Sequence, residues 1–148
     1  MNTTKNLPYL EKILPHKGNM VLIDDVTSID LENKRLTAVV TINPESLFFD
    51  KEINGISGLV GLEYMAQTVG CYAYYKNGEK KPQKGLLLGT RLYNVSCDFE
   101  VGKTYTINVK EIFFDNDIVS FECIIYNESG EEIQSATMNV YQNYEGED

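Results

Sequence analysis

One acid stands by itself in the most apolar part of this chain. Glu63, within GISGLVGLEYMAQTVGCYAYY (residues 55–75), is the one charged or imidazole side chain between Glu52 and Lys76. Three roles are open to it. It could sit on a thin polar stripe and face water, since its helical neighbours are Leu59, Val60, Ala66 and Gln67. It could be a structural acid, buried and neutralised by a partner. Or it could be a catalytic acid or base whose pKa burial raises, because desolvation disfavours the charged carboxylate. The residues favour the third, since a buried carboxylate is costly and chemistry is a reason to keep one. Gly58 and Gly61, about one turn earlier, sharpen it. Glycines at a helix start let a ligand approach the backbone. Free N–H groups there, aided by the helix dipole, can stabilise a carbonyl oxygen gaining negative charge. The bland alternative for Gly58 is close helix packing. The pattern describes proton transfer beside a thioester or similar acyl group.

His16 is the single histidine, in the Pro- and Gly-bearing loop LPHKGNM. By spacing alone a lone loop histidine is more often structural or exposed. It is also the only side chain here whose unperturbed pKa lies near neutrality.

These residues need elements to position them. LPYLEKILPH has apolar residues at Leu7, Leu10, Ile13 and Leu14 with Pro8 near its start, which predicts a short helix over about 7–14 ended by Pro15. MVLIDDVTSID and RLTAVVTI, joined by DLENK, predict a hairpin. LFFDKEINGIS reads as an irregular connector, and the central helix follows over about 58–76, with Gly78 and Pro82 as stop signals. The period then changes to two. GLLLGTRLYNVSCDF, KTYTINVKEIFFD, IVSFECIIYNES and EEIQSATMNVYQ read as four strands with turns at EVGK, DND and ESGE. A strongly apolar helix flanked in sequence by antiparallel strands predicts an α+β fold, a curved sheet wrapped around the helix. One sheet cannot cover such a helix all round, so a second subunit is expected on its other face.

Bulk properties narrow the function. The 148 residues give a prior of one domain, without linkers or repeats. A formal charge of −9 argues against nucleic acid, which needs a concentrated basic surface. Three cysteines, Cys71, Cys97 and Cys123, form no C-x-x-C pair and fit reduced thiols in a cytoplasm. With one histidine, no metal site is expected. No signal segment or convincing membrane span is read from the sequence. Lys76, Lys80, Lys81 and Lys84 cluster in KNGEKKPQKG. They are either a solvated loop or a docking patch for an anionic partner.

The chain resembles the β-hydroxyacyl-acyl-carrier-protein dehydratases of the hotdog fold. GLVGLEYMAQ at 58–67 matches their central-helix signature G-x-x-G-L-[D/E]-x-M-x-Q, LPHKGNMVLIDDV matches an N-terminal leucine-proline-histidine segment, and FEVGKTY is similar to a later Phe-x-x-Gly step. GLEYMAQ, LLLGTRLY and MNVYQ are similar to the branch found in aryl-polyene biosynthetic clusters. The resemblance spans about Leu7 to Gln142. It implies a homodimer with each site near the subunit interface. Glu63 takes the place of the catalytic acid, and Gly58 that of the glycine whose N–H holds the thioester carbonyl. One departure stands out. Well-known members carry a His-Phe-Pro-Gly turn some fourteen residues before the acid, where this chain reads FFDKEINGISG without histidine. Either His16 serves instead, or proton abstraction is lost.

The expected reaction is dehydration of a 3-hydroxyacyl thioester on acyl carrier protein to a trans-2-enoyl thioester, in fatty-acid or aryl-polyene-like biosynthesis. His16 would take the proton beside the carbonyl, Gly58 N–H would hold the oxygen, and Glu63 would protonate the leaving hydroxyl. No cofactor is expected beyond the carrier's phosphopantetheine arm. A hotdog thioesterase, with Glu63 activating water, and a non-catalytic acyl-binding protein are the rival readings.

Overall fold

A computed structural model describes residues 4–79 and 86–141, with only the backbone of 86–88. Helix α1, Leu7–Ile13, starts with Pro8 in its first turn, where the missing N–H costs nothing. Its Leu10 and Ile13, with Leu14 just beyond, are buried. Asp25–Asp30 (β1) and Arg35–Thr41 (β2) form the expected hairpin. The first strand is shorter than its apolar run predicted. Residues 18–20 form a 3-10 turn, and the backbone of Met20 and Leu22 bonds to the side chain of Gln67 instead of to a neighbouring strand.

The connector contributes two short strands, Phe49–Asp50 (β3) and Gly55–Ile56 (β4), which pair with Phe99–Glu100 (β6) in a small separate sheet. A 3-10 turn at Gly58–Val60 leads into the long helix α2, Gly61–Lys76. Gly78, at φ +80°, ends it. Pro82, the other stop signal, lies outside the described residues. Leu86–Val95 (β5), Thr104–Asp115 (β7), Ile118–Tyr126 (β8) and Glu132–Tyr141 (β9) are the four long strands.

The main sheet is antiparallel in the order β1-β2-β7-β8-β9-β5 and curves around α2. Alternation sets its inner face. Tyr105, Ile107 and Val109 of β7 and Val119, Phe121, Cys123 and Ile125 of β8 are buried, while the residues between them are more open. On the helix, Tyr64 meets Phe99 edge-on at 5.1 Å between ring centroids, and Tyr72 meets Phe121 at 5.6 Å. Burying one such side chain is worth about 1.5–3 kcal/mol. Helix α1 covers part of the opposite side, with Leu14 against Gly70. A stripe of Leu59, Leu62, Glu63 and Ala66 remains partly or wholly open, and Leu59 is 71% exposed. Among the described residues no helix is long and apolar enough to cross a membrane. All three cysteines are unpaired.

Candidate active site

Helix geometry explains how one signature serves two sides of α2. Glu63 points along the open stripe, while Tyr64 and Gln67 turn inward. Gln67 is 2% exposed, and both ends of its amide are hydrogen-bonded. Its Oε1 accepts from Leu22 N–H at 2.8 Å and its Nε2 donates to the Met20 carbonyl at 2.7 Å. This fastens the loop after His16 to the helix that carries Glu63. The loop is held at its other end by Glu11. That carboxylate accepts from Gly18 N–H at 2.6 Å, and the Glu11 carbonyl accepts from Lys17 Nζ at 2.8 Å. Gly18 sits at φ +58°, a conformation glycine adopts without strain.

His16 is half-buried, and its Nδ1 is buried without a hydrogen-bond partner among the described residues. Burial lowers its pKa, and the Glu63 carboxylate opposes that shift electrostatically. The imidazole, carried on the N-terminal loop, thus feels the charge of the carboxylate on the central helix. Neutral at pH 7, the imidazole can accept a proton.

Two expectations need correction. Glu63 is exposed in the single chain, so the chain alone does not supply the desolvation expected of a buried catalytic acid. The reason is geometric: its helix face is one the sheet does not reach. The N–H groups at the helix start are also not free. Gly58 N–H donates to Asp98 Oδ1 at 2.8 Å, Leu59 N–H to Ser57 Oγ at 3.2 Å, and Val60 N–H to the Ser57 carbonyl at 3.0 Å. Two side chains and the Ser57 carbonyl thus satisfy these donors, as helix termini require.

The two glycines are explained by close packing. A Cβ on Gly58 would lie 2.7 Å from Val95 Cγ1 and 2.8 Å from the Cys97 carbonyl oxygen. One on Gly61 would lie 1.9 Å from Gln134 Oε1. Gln134, 1% exposed on β9, donates through Nε2 to the Gly58 carbonyl at 2.7 Å, and Tyr93 Oη donates to the same oxygen at 2.9 Å. Two side chains of the sheet thus fix the peptide at the head of the helix.

The chain matches the ApeP-like family, described as ApeP dehydratase, over residues 8–148. It belongs to the ApeP-like dehydratase family. A solved structure, the dehydratase heterocomplex ApeI:P from Xenorhabdus doucetiae, is 25% identical with a TM-score of 0.80, covering 90% of each chain. A 3-hydroxyacyl-[acyl-carrier-protein] dehydratase FabZ from Macrococcus caseolyticus is 27% identical over 113 residues, 74% of this chain and 77% of the relative. A hypothetical thioesterase from Streptococcus pneumoniae, solved with coenzyme A, has a TM-score of 0.65 at 12% identity over 80% of this chain and 84% of that one, a likeness of fold alone. The hotdog architecture is thereby shown.

In this dehydratase the four lysines divide. Lys76 turns to Glu111, 3.1 Å away, a buried carboxylate that also accepts from Tyr72 Oη at 2.9 Å. Its side chain, one-third exposed, is thus engaged by a buried acid as well as open to solvent. Lys80, Lys81 and Lys84 lie outside the described residues. Asp98, Tyr93 and Gln134 were not singled out from sequence. They reach Gly58 from 35 to 76 residues away in the chain, a link that no local motif carries.

Proposed function

We propose that this ApeP-like dehydratase removes water from 3-hydroxyacyl thioesters on acyl carrier protein. The observation that carries the site assignment is the buried, unpartnered Nδ1 of His16 on a loop that Gln67 ties to the helix of Glu63, where the imidazole feels the Glu63 charge. A histidine on the Gln67-anchored loop would stand in for the one missing from FFDKEINGISG, and the tie of that loop to the helix supports this reading.

In the proposed reaction His16 takes the proton from the carbon beside the thioester carbonyl. Electron density moves onto the carbonyl oxygen, held by Gly58 N–H. Glu63, protonated, gives its proton to the 3-hydroxyl, which leaves as water with formation of the trans-2 double bond. Thioester activation and these groups suffice for the chemistry without a metal or organic cofactor. Fatty-acid or aryl-polyene-like biosynthesis is the pathway that goes with family membership, and three unpaired thiols fit a cytoplasmic setting.

Two partners belong to the proposal. A second copy of the chain would cover the open stripe at Leu59, Leu62 and Glu63 and the outer edge of β5, unpaired among the described residues, where Leu92 is 78% exposed. Covering that stripe would take Glu63 out of water. The carrier protein would approach by its acidic surface, with Lys80, Lys81 and Lys84 as the cationic segment available to it.

The test is hydration of a crotonyl carrier thioester, the reverse reaction. Glu63→Gln keeps the shape and removes the transferable proton, so the rate should fall roughly 10²–10⁴-fold with the fold retained. Activity within about twofold of wild type would remove Glu63 from the mechanism. Thiol release from a 3-hydroxyacyl substrate, without enoyl product, would turn the reading to a thioesterase.

A further inference from the structure

The proposed reaction needs Gly58 N–H for the substrate carbonyl, yet in the free chain that N–H already has an acceptor, Asp98 Oδ1 at 2.8 Å. A hydrogen-bond donor cannot serve a carboxylate and a developing enolate oxygen together at full strength. The carboxylate would also repel the negative charge that forms. One of two things must give: the Gly58 peptide turns toward a new direction, or Asp98 leaves.

The surroundings decide between them. The Gly58 carbonyl is pinned by Gln134 Nε2 at 2.7 Å, by Tyr93 Oη at 2.9 Å and by Gly61 N–H. Gln134 is buried, and its amide fills the space that a Cβ on Gly61 would need. The backbone around Gly58 is crowded as well, with Val95 and the Cys97 carbonyl close to where a Cβ would stand. Turning this residue would break several buried contacts at once. Asp98 is exposed, on the short link between β5 and β6. Its side chain can swing into water, where a carboxylate is well solvated.

We propose that Asp98 occupies the seat of the substrate's carbonyl oxygen and that the thioester binds by displacing it. Asp98 is then an internal competitor that sets substrate affinity, while Gln134 and Tyr93 hold the donor in place. The inference rests on the dehydratase reading and adds to it a residue that governs occupancy of its oxyanion site. It predicts a split between constants. An internal competitor raises the apparent KM by the inverse of the fraction of time the seat is free, and leaves kcat near its wild-type value.

The experiment uses the full chain with 3-hydroxybutyryl pantetheine as substrate and crotonyl pantetheine as ligand. If Asp98 holds the seat about nine-tenths of the time, Asp98→Ala lowers KM about tenfold with kcat little changed. Asp98→Asn, which keeps a weaker neutral acceptor, falls between it and wild type and guards against a loss of folding in the alanine chain. A merely structural Asp98 would instead lower the melting temperature and leave KM the same or higher in both variants, which overturns the proposal. The Gly58 amide resonance gives a readout independent of turnover. It should shift when crotonyl pantetheine is added to wild type, and in Asp98→Ala before any ligand is present. Ligand binding that leaves this resonance in place overturns the proposal and the Gly58 role with it, while enoyl product from the same chain would still show a dehydratase. A wild-type chain that neither hydrates nor binds crotonyl pantetheine overturns both.

Discussion

Gln67 offers the sharpest test of how the site is assembled, because it is far from being a reacting group. Replacing it with Leu keeps the approximate volume but removes both bonds to the loop after His16. The Leu22 N–H, in a half-buried segment, loses its acceptor, and an orphaned donor of this kind costs about 1–3 kcal/mol. The Met20 carbonyl belongs to a residue 53% exposed, so water can replace the lost donor and the cost is about 1 kcal/mol or less. Together these give a destabilisation of about 1–4 kcal/mol in urea unfolding. The functional effect is distinct. With the loop unfastened, His16 no longer holds one position relative to Glu63, and dehydration of 3-hydroxybutyryl pantetheine per folded molecule should drop on the order of 10²-fold, the scale of a misplaced reacting group. Gln67→Glu separates the two bonds. It retains the acceptor for Leu22 N–H but sets a carboxylate oxygen against the Met20 carbonyl, so it should be no better than Leu. A Gln67→Leu chain within about 1 kcal/mol of wild type in stability and twofold in rate would refute the claim that this amide positions the histidine.

Burial lowers the pKa of His16, so the folded chain binds its proton less readily than the unfolded chain. Stability from this group is complete above its ordinary pKa of 6.5 and is lost as pH falls through and below that value, so melting temperatures from pH 7.5 to 5 should decline less in His16→Gln than in wild type. His16→Ala should also cut turnover by roughly 10²–10⁴-fold while crotonyl pantetheine still binds; an unchanged rate per folded molecule would return the histidine to a structural role. Gly61→Ala drives a methyl to 1.9 Å from Gln134 Oε1 and should lower stability by about 1–3 kcal/mol, which urea titration would measure. Lys76→Met strips buried Glu111 of its cation, and should lower stability by about 1–3 kcal/mol after allowance for the one-third exposure of the lysine. It should leave the ratio of KM values for carrier-bound and pantetheine substrates unchanged; a change confined to the carrier substrate would place Lys76 on a docking surface.

Sequence by itself determined the frame of this protein. The period-two runs that became β7, β8 and β9 alternate so regularly that the face each residue takes is set by the pleat, and Gly78 ended α2 where its φ of +80° requires. The signature GLVGLEYMAQ marked the helix and its family, because that information is local: residues three and four apart share a face whatever else the chain does. Tertiary structure decided the rest. Whether Glu63 is dry depends on what covers the stripe between Leu59 and Ala66, and neither the sheet nor α1 does so in one chain. The same helix spacing that announces Gln67 cannot say that its amide will capture Met20 and Leu22, turning an expected strand into a loop. Lys76 reads from sequence as a solvated cation, and only the fold shows the buried Glu111 of β7 beside it. And the N–H of Gly58, legible as a donor at a helix start, was already engaged by Asp98, forty residues away. Hydrogen bonds are satisfied by whatever the fold brings near, and proximity between distant segments is the one property that a pattern along the chain does not contain.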